Sequence, residues 1–154
     1  MLKIRSAKIT EVQYLQDLND EVFIDNAKYD PDLKLDWAQS ELGKKYFTEL
    51  VSDPEQICLI AEDDGKPVGY IAASTKEFSY RLSRYLEIDN MGVIPQYRSK
   101  GVGSLLMKKL MEVAKKRGYQ KIFVNSYFAN TKAIAFYKKN GFGEIDVSLE
   151  RKIG

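Results

Sequence analysis

The chain has 154 residues, of which 44% are hydrophobic, a size and composition that predict one folded domain over residues 1–154. Its 24 basic and 22 acidic residues leave a net charge of +2, so the bulk charge argues against a nucleic-acid-binding protein. Because the sequence contains no histidine, it excludes Ser-His and Cys-His catalytic pairs and most zinc sites, and we expect no metal.

The first residues and the cysteine content indicate the compartment. Residues 1–5 lack the uninterrupted apolar core of a signal peptide, and no apolar run is long enough to cross a bilayer. The single cysteine, Cys58, lies in an apolar run, which predicts a buried side chain without a disulfide partner. These features predict a cytoplasmic protein that does not associate with a membrane.

Hydrophobic periodicity predicts ten elements in the order β-α-α-β-β-β-α-β-α-β, forming one mixed sheet covered by helices. The pattern Thr10-Glu11-Val12-Gln13 is typical of a capping box and predicts the start of the first helix. The turn at residues 63–66 predicts a β-hairpin. The predicted strands are residues 2–7, 56–62, 67–75, 85–93 and 121–126, and a final strand through Ile145, Val147 and Leu149.

The strand at 85–93 leads into the loop Arg98-Ser99-Lys100-Gly101-Val102-Gly103 and then into a helix. Glycines let the backbone approach a ligand, and the N–H groups of a first helical turn have no intrahelical acceptors. The loop therefore predicts a site for an anion such as a pyrophosphate. A P-loop requires lysine after the glycine, whereas Lys100 precedes Gly101. A dinucleotide fingerprint requires a small residue where Leu106 stands.

This Arg-x-x-Gly-x-Gly loop, followed by Asn130, Ala133, Tyr137 and Gly141-Phe142, resembles the GCN5-related N-acetyltransferase (GNAT) family over roughly residues 56–142. The resemblance implies an α/β fold of three layers: a mixed, mostly antiparallel sheet with a splayed central strand pair, and four helices. It also implies an enzyme in which an amine directly attacks the thioester of acetyl-coenzyme A in a ternary complex.

In that family the glycine loop cradles the coenzyme pyrophosphate, and the preceding strand hydrogen-bonds the pantetheine arm. The helix that Asn130 begins borders the thioester, and Asn130 is also placed to cap that helix. The residues to which the resemblance assigns acetyl-coenzyme A are Met91, Gly92, Val93, Arg98, Ser99, Lys100, Gly101, Val102, Gly103, Ser104, Asn130, Ala133, Phe136 and Tyr137.

Three residues are candidates for proton transfer. An alkylammonium has a pKa near ~10.4, so the acceptor amine needs a base at neutral pH, which a carboxylate in a partly dry cleft can supply. By resemblance, Glu87 and Asp89 match positions that deprotonate the amine, often through water, and Tyr137 matches the acid that protonates the coenzyme thiolate. Without the resemblance, the carboxylates are equally typical of surface ion pairs, and Tyr137 of a packing residue.

Strict strand alternation predicts which faces the side chains of residues 85–93 occupy. The odd-numbered residues, from Tyr85 through Glu87, Asp89 and Met91 to Val93, would share one face, and Leu86, Ile88 and Ile94 the other. By resemblance, backbone N–H groups near Met91 would stabilise the oxyanion of the tetrahedral intermediate.

The family builds its acceptor pockets from the first two helices, the loop between them, and the loop between the third and fourth strands. Acidic and aromatic side chains in those segments suit a cationic amine, although a solvated polar loop has the same composition. The candidate acceptor-binding residues are Tyr29, Asp30, Asp32, Trp37, Tyr80 and Tyr85.

The expected acceptor is therefore a small cationic amine. A protein N-terminus or a lysine is the alternative acceptor, and a non-catalytic acyl-coenzyme A sensor module is an alternative of another class. The expected architecture also leaves the last strand and the splayed edge exposed, which permits a homodimer.

Overall fold

In the computed structural model, which describes all 154 residues, the chain folds around one five-stranded sheet. The strands are β1 (Leu2–Ser6), β2 (Ile57–Asp63), β3 (Lys66–Lys76), β4 (Tyr85–Val93) and β5 (Lys121–Val124). The helices are α1 (Val12–Asn26), α2 (Glu41–Ser52), α3 (Val102–Lys116) and α4 (Thr131–Lys139). The strands are ordered β1-β2-β3-β4-β5, and only the β4–β5 pair is parallel. None of the helices combines the length and the apolar character that a membrane span requires.

A layer of helices covers each face of the sheet. Helices α1 and α2 pack on one face, where Leu15 and Phe47 meet Tyr70 of β3. Helix α3 packs on the other face through Leu106 and Leu110, and α4 joins that side. The predicted three-layer fold with four helices is therefore confirmed.

The central strands diverge, as the predicted splay requires. β4 pairs with β5 only over Tyr85–Ile88, opposite Lys121–Val124, although β4 continues to Val93. The edge of β4 that faces β5 is thus free of a strand partner from Asp89 to Val93. The two strands are therefore unpaired beyond Ile88, and we call the region between them the gap.

A β-bulge in β4 overturns the predicted alternation of its side chains. Ala72 of β3 lies opposite Asn90, and the next residue, Ala73, lies opposite Ile88, so Asp89 is an extra residue without a partner. A bulge adds one residue to one strand only, and the side chains beyond it therefore change faces. The prediction that all odd-numbered residues of this strand share one face is wrong beyond Asp89.

The bulge divides the strand's side chains between the two helix layers. Met91 and Val93 pack into the core on the α3 face. Asn90 bonds to the buried hydroxyl of Tyr70, which belongs to the core on the α1 and α2 face. Glu87 precedes the bulge and also faces α1 and α2. The carboxylates and the residues predicted to border the thioester therefore occupy opposite faces.

The predicted capping of α4 is confirmed, whereas that of α1 is wrong in its details. The Asn130 side chain accepts a hydrogen bond from the Ala133 N–H at 3.1 Å. After α4, Gly141 takes a left-handed conformation (φ 93°), and the Phe142 N–H donates to the Tyr137 carbonyl, as in a Schellman motif.

At α1 the residue before the helix is Glu11 rather than Thr10, and no side chain caps the first turn of the helix. The Lys8 N–H donates to Glu11 Oε1 at 2.8 Å, and a short 3₁₀ turn at Ile9–Glu11 precedes the helix. Glu11 of the predicted pattern thus makes a capping hydrogen bond at the 3₁₀ turn. Its partner is the N–H of Lys8, which precedes the capping position that the pattern predicts.

The predicted final strand is not formed. Residues 143–154 contain no strand, and no backbone–backbone hydrogen bond involves them. The side chains of Ile145, Val147 and Leu149 are 60%, 68% and 91% exposed. Period-two alternation indicates that a segment can form a strand, but it does not supply a neighbouring strand to pair with. β5 is consequently the edge of the sheet.

We expect Gly43→Ala to lower the free energy of unfolding by about 1–3 kcal/mol, although the same change inside a helix usually raises it by about 1 kcal/mol. A Cβ at Gly43 of α2 would lie 2.4 Å from the carbonyl oxygens of Trp37 and Ala38, and backbone atoms cannot move aside as a side chain can. Urea unfolding measures the effect.

The matched control is Gly143→Ala, because a Cβ there has nothing within 4 Å. Its free energy of unfolding should stay within about 0.5 kcal/mol of the wild-type value. A Gly43→Ala protein as stable as wild type would contradict the predicted backbone clash.

Candidate active site

Six consecutive backbone N–H groups, from Ser99 to Ser104, have no backbone acceptor in the chain. Ser99 and Gly101 take left-handed conformations (φ 62° and 83°), which turn successive N–H groups toward one side. Helix α3 begins immediately after Gly101 and has no side-chain cap. Its positive dipole end and its free N–H groups therefore fit an anion, as predicted for a pyrophosphate.

Glycine is needed at the two glycine positions of this loop for different structural reasons. A Cβ on Gly101 would meet nothing within 4 Å, so the space beside it is open, and its positive φ is the reason for glycine there. A Cβ on Gly103 would lie 3.2 Å from the ring of Phe136. Gly103 thus allows α4 to pack closely against the first turn of α3.

Arg98, predicted to contact phosphate, is held by two protein groups. Its Nη2 lies 2.7 Å from Asp25 Oδ2 of α1, and its Nε donates to the Val93 carbonyl at 3.0 Å. The ion pair is exposed on both sides, so it contributes little stability of its own. The loop's guanidinium is therefore positioned beside the free N–H groups, with one carboxylate already bound.

The free edge of β4 and the facing side of α4 border the gap between the strands. Met91 and Val93 lie on this side with Phe136 and Tyr137. The Asn130 side chain uses its oxygen as the helix cap, which leaves its amide N–H groups available as donors. Four of the residues predicted to contact acetyl-coenzyme A, Met91, Val93, Phe136 and Tyr137, thus lie on the same side of the sheet.

Tyr137 is packed between two aromatic rings on this side of the sheet. Its ring centroid lies 5.4 Å from that of Phe136 and 5.5 Å from that of Phe142. Burial raises the pKa of Tyr137 to about 12, so the hydroxyl keeps its proton at neutral pH. A protonated hydroxyl is what a proton donor to a thiolate requires.

Asp89 is held by hydroxyl groups rather than by a cation. Its carboxylate accepts hydrogen bonds from Ser74 Oγ at 3.0 and 3.1 Å and from the Tyr46 hydroxyl at 3.2 Å. Burial raises the pKa of Asp89 above its ordinary value, the Ser74 bond opposes that rise, and the charge of Glu87 adds to it. A carboxylate with a raised pKa is a stronger base than an ordinary one.

A chain of buried hydrogen bonds supports these hydroxyls from behind. Asn19 Nδ2 donates to the Tyr70 hydroxyl at 3.0 Å, and that hydroxyl bonds to Asn90 Oδ1. Asn90 Nδ2 in turn donates to the Tyr46 hydroxyl at 3.1 Å. The sequence did not predict these residues as part of a site. The one signal for them is that polar side chains stand at positions where the hydrophobic pattern predicts burial.

Asp89 and Glu87 line a cavity of about 740 Å³ on the α1 and α2 face. Two further carboxylates, Asp53 and Glu55 from the loop before β2, line it as well. No lysine or arginine is among the lining residues. The aromatic lining residues are Phe23, Trp37 and Tyr46. Lys76, whose charge acts on Asp89, does not line the cavity, and the four carboxylates that do line it make it attractive to a cation.

Of the six candidate acceptor residues, only Trp37 lines this cavity. Tyr29 stacks on Tyr127 with ring centroids 6.1 Å apart, and Asp30 accepts a hydrogen bond from the Tyr127 hydroxyl at 2.7 Å. These two residues therefore connect the loop after α1 to the loop after β5.

The other three candidates lie elsewhere on the molecule. Asp32 and Tyr80 are exposed, and Tyr85 packs its ring against Phe78, 4.9 Å away. The sequence predicted acidic acceptor-binding residues in the loop after α1. The carboxylates that line the cavity come instead from β4 and from the loop before β2.

The functional groups thus form two half-sites on opposite faces of the sheet. The anion-binding loop and Tyr137 lie with α3 and α4, whereas Asp89 and Glu87 lie with α1 and α2. The gap between β4 and β5 begins beyond Ile88, where β4 carries residues of both half-sites. An anionic carrier on one face can therefore meet a cationic acceptor from the other.

Comparison with known proteins gives independent information. Residues 13–142 match the model of the family described as acetyltransferase (GNAT). An uncharacterised N-acetyltransferase of Methanocaldococcus jannaschii is 34% identical over 112 residues, which are 72% of this chain and 50% of that relative. This chain thus spans about half the length of that relative.

Two other proteins match over nearly the whole chain. An N-alpha-acetyltransferase of Sulfurisphaera tokodaii is 26% identical over 153 residues, covering 94% of this chain and 82% of that protein. Among solved structures, an aminoglycoside acetyltransferase from an uncultured soil metagenomic sample superposes with a TM-score of 0.72. It is 25% identical and the match covers 100% of this chain and 99% of that one.

We expect Asp89→Asn to raise the free energy of unfolding at neutral pH. Because the pKa of Asp89 is raised in the folded chain, folding favours its protonated form. Its contribution to stability is therefore full below the unfolded pKa and is lost as the pH rises through the folded pKa. Asparagine imitates the protonated form at every pH, so the variant's advantage should grow as the pH rises from the unfolded pKa of about 3.9 through the raised folded pKa.

Urea unfolding at several pH values measures this difference. The control is Asp32→Asn, whose side chain is exposed, and its free energy of unfolding at pH 7 should stay within about 0.5 kcal/mol of the wild-type value. An Asp89→Asn protein less stable than wild type at pH 7 would show that the hydroxyl bonds outweigh the burial of the charge.

Proposed function

The chain belongs to the GNAT family of acetyltransferases, and we propose that it transfers an acetyl group from acetyl-coenzyme A to the primary amine of a small cationic acceptor. The observation that carries the proposal is the pairing of the two half-sites. An anion-binding loop lies on one face, and a cavity lined by four carboxylates lies on the other. The gap beside β4 adjoins both.

The donor half-site supports acetyl-coenzyme A as the substrate. The free N–H groups of Ser99–Ser104 suit its pyrophosphate. The unpaired edge of β4 and the amide of Asn130 suit the peptide-like amides of its pantetheine arm. Gly101 leaves open space for the close approach of the phosphates. The pyrophosphate and the pantetheine arm therefore each have a chemically matching group in this chain.

The acceptor half-site supports a cation. A primary alkylamine is protonated at neutral pH, with a pKa near ~10.4, and the carboxylates of the cavity would hold this ammonium before transfer. Trp37, Phe23 and Tyr46 add aromatic faces suited to cation–π contact. The structural neighbour described as an aminoglycoside acetyltransferase supports an acceptor with amino groups.

The reaction follows from these positions. The amine nitrogen attacks the thioester carbonyl carbon in the gap, a nitrogen–carbon bond forms, and the carbon–sulfur bond breaks. Asp89 takes the amine proton, directly or through a water, while Glu87 holds the positive charge at the cavity. Backbone N–H groups on the free edge of β4 near Met91 stabilise the oxyanion, and Tyr137 donates a proton to the leaving thiolate.

A peptide N-terminal amine is a second candidate acceptor. The Sulfurisphaera tokodaii N-alpha-acetyltransferase supports it, because that match extends over 94% of this chain. An α-amino group has a pKa of only ~7.7–8.0, so it needs less help from a base than an alkylamine does. It would also have less use for a cavity with four carboxylates, and for that reason we rank it second.

The test is release of the coenzyme thiol from acetyl-coenzyme A with a panel of polyamines, aminoglycosides, amino acids and short peptides. We expect release to depend on a small polycationic amine. For that acceptor Asp89→Asn should lower kcat/KM by about 100-fold or more and remove the rise of the rate with pH, because it removes the base.

Glu87→Gln serves as the matched variant in this experiment. It removes a carboxylate from the same cavity, and we expect it to raise KM for the amine more than it lowers kcat. Release that depends on peptides alone would support the second candidate. Tight binding of acetyl-coenzyme A without release by any amine would instead support an acyl-coenzyme A sensor module.

We expect Tyr137→Phe to lower kcat by about tenfold and to leave KM for acetyl-coenzyme A nearly unchanged. A thiol has a pKa near ~8.5, so its thiolate leaves without full protonation, and the acid helps without being indispensable. The control is Tyr14→Phe, whose hydroxyl donates to the Pro67 carbonyl at the start of β3 and lines neither half-site. A Tyr137→Phe enzyme with wild-type kcat would remove Tyr137 from the mechanism.

A further inference from the structure

Two of the residues that the sequence predicted for the acceptor site, Tyr80 and Tyr85, lie around one arginine instead. Arg81 belongs to the loop between β3 and β4, where its N–H donates to the Phe78 carbonyl at 3.1 Å and closes a turn. Its guanidinium carbon lies 4.2 Å from the ring centroid of Phe78, 5.5 Å from that of Tyr85 and 5.6 Å from that of Tyr80. Three aromatic rings therefore surround this guanidinium.

The rings are ordered by packing against one another and against β5. The Phe78 ring meets that of Tyr85 nearly edge to face, with centroids 4.9 Å apart, and that of Phe123 at 5.4 Å. Tyr85 is buried, and Phe78 and Arg81 are half-buried. The surroundings of the guanidinium are thus built from two strands and the loop between β3 and β4.

The guanidinium of Arg81 has no anionic partner in the chain. None of the ion pairs includes it, and its one side-chain hydrogen bond is long, at 3.5 Å from Nη1 to the Tyr85 hydroxyl. Stacking on rings occupies the faces of the guanidinium plane and leaves its N–H edge free. That edge can bind a carboxylate or a phosphate through two parallel hydrogen bonds.

Two lysines add positive charge to the same cluster. The Lys76 ammonium lies 5.5 Å from the ring centroid of Phe78, and the Lys121 ammonium lies 5.7 Å from that of Tyr85. Neither lysine belongs to an ion pair. Three cations around one pair of rings therefore attract an anion.

A second arginine of the same loop has a different role. The Arg84 guanidinium carbon lies 4.1 Å from the ring centroid of Tyr119, and its Nη1 donates to the Arg117 carbonyl. Arg84 thus stacks on a ring and also bonds to a backbone acceptor, which makes it a structural contact. Arg81 stacks in the same way, but it has no such acceptor at its edge.

The cluster borders the acceptor cavity. Glu87, which lines the cavity, lies opposite Phe123 in the pairing of β4 with β5, so the two side chains share a face. Thr75, which precedes Lys76, lines the cavity as well, and the charge of Lys76 acts on Asp89. Positive charge therefore lies at the border of a cavity that is lined by carboxylates.

We propose that Arg81, together with Lys76 and Lys121, forms a binding site for an oxyanion, either a carboxylate or a phosphate. The guanidinium edge donates hydrogen bonds to two oxygens of the anion, and the two ammonium groups contribute charge. Two sources supply this chemistry: a group carried by the acceptor whose amine occupies the cavity, or a free anion such as inorganic phosphate. Only the first source rests on the proposed function.

Residue-resolved NMR titration with inorganic phosphate is the first test. We expect the side-chain Nε–H signal of Arg81 to shift to saturation. The signal of Arg84 should stay in place, because its guanidinium is already bonded to a backbone acceptor. Phosphate that binds the loop of residues 99–104 shifts the backbone signals of that loop and is followed separately.

Variants of the two arginines form a matched pair, followed at the backbone N–H signal of Tyr80. Arg81→Gln should raise the dissociation constant of phosphate at the cluster by at least about tenfold, because it removes charge-assisted hydrogen bonds. Arg84→Gln removes an equal charge from the same loop and should leave that dissociation constant within about twofold of the wild-type value.

L-lysine and cadaverine distinguish the two sources, because they differ only in the carboxylate of lysine. If the acceptor carries the oxyanion, lysine shifts the Arg81 signal and competes with phosphate, whereas cadaverine does neither. If the site takes a free anion, phosphate alone shifts the signal. Either result supports an oxyanion site at Arg81 and assigns its source.

Three outcomes would overturn the site. One is an Arg81 signal that neither phosphate nor lysine shifts in the wild-type protein. The others are a phosphate affinity that Arg81→Gln does not lower, and one that Arg84→Gln lowers as much. None of these measurements involves acetyl transfer, so their failure leaves the proposed reaction standing. Conversely, a chain without acetyl transfer would still bind the oxyanion.

Discussion

The bulge at Asp89 is the constraint on which the rest of the site depends. β4 is the only strand that both half-sites share, and an uninterrupted strand would present Asp89, Met91 and Val93 to the same helix layer. With one residue added, Asp89 stays on the face of α1 and α2 while Met91 and Val93 turn to the face of α3 and α4. The loss of pairing with β5 begins at the same point. The bulge thus places the proposed donor and acceptor half-sites on opposite faces of the sheet, next to the gap where β4 and β5 are unpaired.

The surroundings of Asp89 show how a buried carboxylate is kept both ionisable and ordered. Burial makes its charge unfavourable in the fold and raises its pKa, and no salt bridge offsets the burial. Two hydroxyls orient it without neutralising it, and the chain from Asn19 through Tyr70 and Asn90 fixes one of these hydroxyls. A salt bridge at this position would stabilise the carboxylate and make it a weaker base. The arrangement therefore gives up some stability for basicity, as functional sites commonly do.

The donor half could be predicted from the sequence because its determinants are local. Gly101, Gly103 and the Asn130 cap act within a few residues of their own position, and the structure places them as the pattern indicated. The acceptor half could not be predicted in the same way. Asp53 and Glu55 reach the cavity only through the pairing of β2 with β3, and the bulge depends on the register between β3 and β4. Such registers are tertiary properties that alternation alone does not determine.

The same distinction explains the strand that failed to form. Residues 143–154 have the alternating pattern of a strand, and β5 has a free edge with which a strand could pair. Whether the two pair depends on the path of the chain after the turn at Gly141, which the alternation within the segment does not determine.

Helix α1 contributes to both half-sites from a single element. Its residues Asn19 and Phe23 line the acceptor cavity, and Asp25, two residues further, holds the guanidinium of Arg98 at the donor loop. Because the Arg98 Nε also bonds to the last residue of β4, the loop, the strand and the helix meet at one side chain. A phosphate that binds Arg98 must therefore share the guanidinium with Asp25. The negative charge of that phosphate then lies near α1, the helix that forms one wall of the acceptor cavity. In the proposed reaction the two substrates would therefore bind on separate faces of the sheet, to a framework of β4 and α1 that both half-sites share.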